Sequence, residues 1–142
     1  MKTLLATIAV ILVIQNSDCK VFTRCALAKA LLSNGFPRND LENWVCLVES
    51  ESNRNTAAIG RLNTNGSRDY GLFQINSRYW CGIGHRAGGC NIDCNQLLND
   101  NIYDDSKCAK HIFTIHSWQG WYGWIKKCKN QSLPNIRAEC GI

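Results

Sequence analysis

Nine cysteines in a chain of 142 residues constrain this protein more than any other feature. Thiols at that density point to an oxidising compartment, and an odd count leaves one without a partner. The amino terminus addresses both points. A short basic start at residues 1–3 precedes an unbroken apolar run at 4–14. Crossing a bilayer takes roughly 20 such residues. The run is too short to span and reads instead as the apolar core of a secretory signal. Small residues at Ser17 and Cys19 suit cleavage after position 19. A signal over 1–19 and one domain over 20–142 are therefore expected, giving a secreted, extracellular monomer with no transmembrane segment. Cleavage removes Lys2, Asp18 and Cys19, so eight cysteines remain and the net charge stays at +5. Eight cysteines can pair in 105 ways, and spacing alone does not choose among them.

The spacing of apolar residues divides the chain into two kinds of segment. Arg24–Ser33 reads as a helix with Ala28, Leu31 and Leu32 on one side and Asn34-Gly35 as its stop. A second helix, Leu41–Ser52, follows a turn at 37–40 and carries Leu41, Trp44, Val45 and Val48 at helical spacing. Asn65-Gly66 is a hairpin signal, and residues 69–75 after it read as a strand. A glycine-rich, cysteine-stapled loop fills 81–94. Helical spacing returns with Cys108, Ile112 and Ile115, and again over 121–128. The fold class is α+β: a helical lobe and a small antiparallel β-hairpin lobe.

Two carboxylates stand in contrasting surroundings. Glu51 lies three residues after Val48 and seven after Trp44, so it continues the apolar stripe of the second helix. Glu49 is rotated by roughly 100° from Val48 and is expected to be the more exposed. Burial on an apolar stripe and a place at the helix C-terminus both disfavour the charged form of Glu51. A carboxyl kept protonated near neutral pH can act as a general acid. Asp69 opens the strand after an Asn- and Ser-rich turn, with Asn63, Ser67 and Asn76 as donors that would keep it ionised. Taken singly, an exposed glutamate and a turn-capping aspartate explain these residues. As a pair across a cleft, they match the arrangement that glycoside hydrolysis uses.

Other chemistries find no support. The chain has no G-x-S-x-G elbow, no P-loop and no H-E-x-x-H. His111 and His116, five apart, do not share a helix face, and Cys90 and Cys94 read as a disulfide staple rather than a zinc site. No dense basic stripe marks a nucleic-acid surface, so no nucleic-acid partner is expected.

The segments 20–25, 43–46 and 51–56 resemble C-type lysozymes, as does the long stretch 63–77 (NTNGSRDYGLFQINS), and the likeness runs through all of 20–142. It implies hydrolysis of the β-1,4 bond between N-acetylmuramic acid and N-acetylglucosamine in peptidoglycan, with retention of configuration. Glu51 would be the proton donor, and Asp69 the nucleophile or electrostatic stabiliser. Lysozymes are the type case of this division between two carboxyls, so these roles come with the family. The resemblance also implies disulfides Cys25–Cys140, Cys46–Cys128, Cys81–Cys94 and Cys90–Cys108. It implies a sugar cleft lined by Asn63, Gln74, Asn76, Tyr79, Trp80, Gly120 and Trp121. Trp44 and Trp124 read as core.

Departures from the vertebrate pattern resemble invertebrate members: Tyr79 where many have Trp, one residue more between Glu51 and Asp69, and three fewer between Cys81 and Cys90. They bear on subsite affinity more than on chemistry. Residues 96–105 resemble the calcium loop of some relatives, with Gln96 and Asn101 offering carbonyls and Asn99, Asp104 and Asp105 offering side chains. Asn99 there removes a charge and weakens such a site. First-turn acids at a helix N-terminus are the simpler reading, and no cofactor is required. Asn65 and Asn130 begin N-glycosylation sequons.

The net charge of +5 favours anionic bacterial envelopes as partners, alongside peptidoglycan itself. Two alternatives accompany the muramidase. One is a non-catalytic relative of the lactalbumin or carbohydrate-binding kind. The other is a cationic antimicrobial protein that acts without hydrolysis.

Overall fold

Helix α1 (Arg24–Ser33) begins where the Thr23 hydroxyl accepts the Ala26 N–H, satisfying one of the donors that a helix start leaves free. Residues 20–142 are described by this computed structural model; the leader expected over 1–19 lies outside them. After a single 3-10 turn at Arg38–Asp40, helix α2 runs Leu41–Ser52. It ends on Asn53 in the left-handed conformation, which asparagine tolerates better than most residues. Helices α3 (Tyr103–His116), α4 (Tyr122–Lys127) and α5 (Ile136–Cys140) complete the helical lobe.

Trp44 of α2, 1% exposed, is the hub of the core. Phe36, Phe73, Phe113, Trp118 and Trp121 all pack their rings on it, at centroid distances of 4.7–6.2 Å. Trp124 is also buried and stacks on Trp118 at 5.1 Å. Aromatic rings of this size carry a large share of the burial energy and lock the helices at fixed angles. The stripe expected through Cys108, Ile112 and Ile115 holds only for the first two. Ile115 is 54% exposed, because in the last turn of α3 it is Phe113 that faces the core while Thr114, Ile115 and His116 point outward.

The small lobe departs from the single strand expected over 69–75. It forms two short strands, β1 (Asp69–Tyr70) and β2 (Ile75–Asn76), paired antiparallel with Asp69 opposite Asn76 and Tyr70 opposite Ile75. Between them the chain turns inward and buries Gly71, Leu72 and Phe73 together, so no alternating pattern survives. Gly71 must be glycine: its φ is +74°, and a Cβ there would collide with the Leu97 carbonyl and the Asp105 carboxyl. The Asn65-Gly66 signal does reverse the chain. Asn63 N–H donates to Ser67 O (2.7 Å), Gly66 N–H donates to Asn63 O (2.9 Å), and Ile59 bridges Tyr70 beyond.

Four disulfides bind these parts. Cys25–Cys140 ties α1 to α5, Cys46–Cys128 ties α2 to the end of α4, and Cys90–Cys108 ties the glycine-rich loop to α3, while Cys81–Cys94 closes that loop on itself. No helix among the described residues is long and apolar enough to cross a membrane.

Candidate active site

The last turn of α2 delivers Glu51 to the boundary between the lobes. Burial is the main force on its carboxyl and raises its pKa; the Gly123 N–H works against it, the Asp69 charge adds to the rise, and Lys127 opposes. The Gly123 N–H donates to Oε1 at 3.0 Å. A glycine there leaves room for the carboxyl, since a Cβ at position 123 would stand 2.5 Å from Oε1. Glu49 on the neighbouring face is half-buried as well. Arg24 (3.3 Å) and Arg54 (3.4 Å) reach its Oε2 from α1 and from the chain after α2.

Asp69 is held differently. Asn76, its cross-strand partner, donates from Nδ2 to Oδ1 at 2.8 Å. The other two donors expected from sequence do not reach it. Asn63 and Asn76 each donate to Ser67 Oγ at 3.0 Å, and Ser67 Oγ lies 2.6 Å from its acceptor, Asn65 Oδ1. Pairing across the ladder puts Asn76 and Asp69 on one face. Asn63 and Ser67 serve the neighbouring turn.

Glu51 and Asp69 line one open cavity of about 720 Å³ between the lobes. Gln74, Asn76, Tyr79, Trp80, Gly120 and Trp121 line it as well. Asn63 is not among its lining residues and stays in the turn network. The lining side chains differ in how free they are. Gln74 spends its amide donors on Ala58 O and Gly71 O (3.2 and 3.0 Å), and Trp121 is buried with its indole N–H on Phe73 O. Tyr79 is 61% exposed, and Arg78 lies over its ring at 5.6 Å. Trp80 is gripped edge-on by His111 and His116, with ring centroids at 6.1 and 5.7 Å.

Sequence reasoning missed Ile112, His116, Gln119 and Tyr122 in this cavity. Helical spacing assigned Ile112 to the core, which it also serves. The other three follow from the 3-10 segment Ser117–Gly120, which swings the chain from α3 into α4 and carries no distinctive signature.

A family model for the C-type lysozyme/alpha-lactalbumin family matches residues 20–140. This chain belongs to that family. The lysozyme of Galleria mellonella is 53% identical over 118 residues, covering 82% of this chain and 98% of that protein. The lysozyme of Hyalophora cecropia is 49% identical over 134 residues, covering 94% and 95%. Among solved structures, a calcium-binding lysozyme from equine milk superposes with a TM-score of 0.78 at 43% identity, covering 87% of this chain and 100% of its own.

The calcium-binding equine lysozyme directs attention to residues 96–105 of this member of the family. Asp105 is 1% exposed and neither side-chain oxygen has a hydrogen-bond partner, although the Asp105 and Leu72 amides oppose the rise that burial causes. Burial pushes its pKa up to about 8. The rest of the loop is closed on itself. Asn99 donates from Nδ2 to Gln96 O (3.1 Å) and accepts the Asn101 N–H on Oδ1 (3.0 Å). Two of the expected ligands are thus bonded to each other, only Asp104 and Asp105 bring charge, and no cluster of three His, Cys, Asp or Glu exists among the described residues. Calcium seeks six or more oxygens, and in this arrangement the Asn99 side chain is already bonded to Gln96 O.

Proposed function

We propose that this chain is a secreted muramidase that cleaves the β-1,4 bond between N-acetylmuramic acid and N-acetylglucosamine in bacterial peptidoglycan, in antibacterial defence. The observation that carries the reading is the pairing of two unlike carboxyls in one cavity: Glu51, desolvated, and Asp69, hydrogen-bonded by Asn76. Glu51 in its neutral form donates a proton to the glycosidic oxygen as the bond to C1 breaks. The Asp69 carboxylate meets the positive charge developing at C1, as nucleophile or as electrostatic partner. Glu51, now ionised, then takes a proton from water as that water attacks C1 from the face the leaving group left; where Asp69 has bonded to C1, that bond breaks in the same step and its electron pair returns to the carboxylate.

Binding follows from the same wall. Tyr79 and Trp80 offer aromatic faces to sugar rings, and Gln74, Asn76, Gly120 and Trp121 border the bond to be cut. The +5 charge attracts the anionic wall, and the disulfides suit an oxidising, extracellular setting. A non-catalytic relative has no need of both carboxyls, and this chain keeps both.

Digestion of purified peptidoglycan tests the proposal. New reducing ends should be N-acetylmuramic acid, with the β anomer formed first. Ends on N-acetylglucosamine, or α product first, contradict it.

A further inference from the structure

A second open cavity, of about 660 Å³, lies behind the catalytic cleft and is assigned no part in cleavage. The two are neighbours through one side chain. Trp80 lines the cleft together with His116, while His111, which also packs against the same indole, lines the second cavity. Gly89 lines it too, and a Cβ there would press into the Trp80 ring at 2.7 Å. The partition is therefore about one aromatic ring thick.

The charges in this second cavity are of both signs and are unpaired. Arg86, Lys107, Asp93 and Asp104 line it, yet none takes part in an ion pair among the described residues. Arg86 uses only its Nε, on Asn91 O, and Asp93 uses one oxygen to cap the Asn95 N–H. Lys107 and Asp104 make no side-chain hydrogen bond among the described residues. A polyanion would meet Asp93 and Asp104 as well as the cations. A chain carrying carboxylates and amines together can satisfy both signs.

We infer that this cavity receives the peptide branch of peptidoglycan, a short chain bearing carboxylates and an amine, while the glycan occupies the cleft on the other side of Trp80. The inference rests on the muramidase reading and deepens it: the preferred substrate is the peptide-bearing polymer, not the bare sugar chain. Arg86 and Lys107 take the branch carboxylates, and Asp93 and Asp104 take its amine. A sugar in the cleft then positions its own branch for the second cavity, so the two contacts act within one molecule and reinforce each other.

The test compares intact peptidoglycan with glycan stripped of its peptides by an amidase. The Arg86→Gln/Lys107→Gln variant should raise KM for the intact polymer about fivefold, as expected for loss of two exposed charge contacts. Its kcat, and both constants on stripped glycan, should stay unchanged. A control variant, Lys29→Gln/Lys129→Gln, removes the same charge outside both cavities and should leave the ratio of the two KM values as in the wild type. Equal losses on both substrates, an equal shift in the control, or no shift at all overturns the inference. Wild-type protein that cleaves neither substrate overturns the muramidase reading itself, and this inference with it.

Discussion

The Glu51 carboxyl faces the Gly123 amide at 3.0 Å, so a backbone donor at the start of α4 fixes the side chain that ends α2. That bond favours the charged form, while burial and the Asp69 charge favour the neutral one. The balance comes out toward protonation. Lys127 also weighs toward the charged form. Replacing it by glutamine should raise the Glu51 pKa further and move the alkaline limb of the kcat/KM profile to higher pH. A limb that stays put or moves down contradicts the assignment of that limb to Glu51.

Asn76 holds Asp69 from across the ladder at 2.8 Å. Asn76→Ala removes a hydrogen bond to a charged group, about 1.5–3 kcal/mol in typical cases. The rate on bacterial cell walls should fall roughly tenfold or more, and Tm should fall by several degrees while the variant still folds. Asp69→Asn should fall further, because the charge itself is lost. Full activity in folded Asn76→Ala would show that Asp69 needs no such support.

Gly71 turns β1 into β2 beneath the strands that bear Asp69 and Asn76. Gly71→Ala has to adopt a left-handed backbone and crowd the Leu97 carbonyl at once. A cost of about 2 kcal/mol or more is expected, read as a fall of several degrees in Tm. An unchanged Tm would mean that the turn has slack the packing does not reveal.

Asp105 gives stability a pH dependence of its own. Its folded pKa of about 8 lies above the ordinary 3.8, so the native state binds the proton more tightly than the unfolded chain. This contribution is fully present below about pH 4 and is lost as pH rises through 8. Asp105→Asn should therefore raise Tm relative to wild type, with a gap that widens from acid toward pH 8. The comparison is made in chelator and again in millimolar calcium. A large gain for the wild type in calcium would contradict the closed reading of residues 96–105.

Much of this was legible in the chain, for local reasons. Helices α1 and α2 run Arg24–Ser33 and Leu41–Ser52 as their spacing and stop residues indicate. Desolvation of Glu51 follows from its place on the Trp44–Val48 stripe. What escaped depends on distant partners or unusual backbone. The ion pair of Glu49 with Arg24, which comes to it from another helix, is invisible to helical spacing. The break in 69–75 turns on Gln74 adopting a positive φ of 50°, which its residue type does not announce. Asn63 was placed in the cleft, but its amide is committed to Ser67. The second cavity joins the 81–94 loop to α3 through Cys90–Cys108, a contact that only the folded chain creates.

The central claim is that Glu51 is the proton donor, and lysis of bacterial cell walls by folded Glu51→Gln protein tests it most directly. Turbidity loss followed across pH, with folding checked by circular dichroism, should show activity at least about 100-fold below wild type at every pH, as expected for loss of a general acid. Wild-type-like clearing by the folded variant would contradict the account.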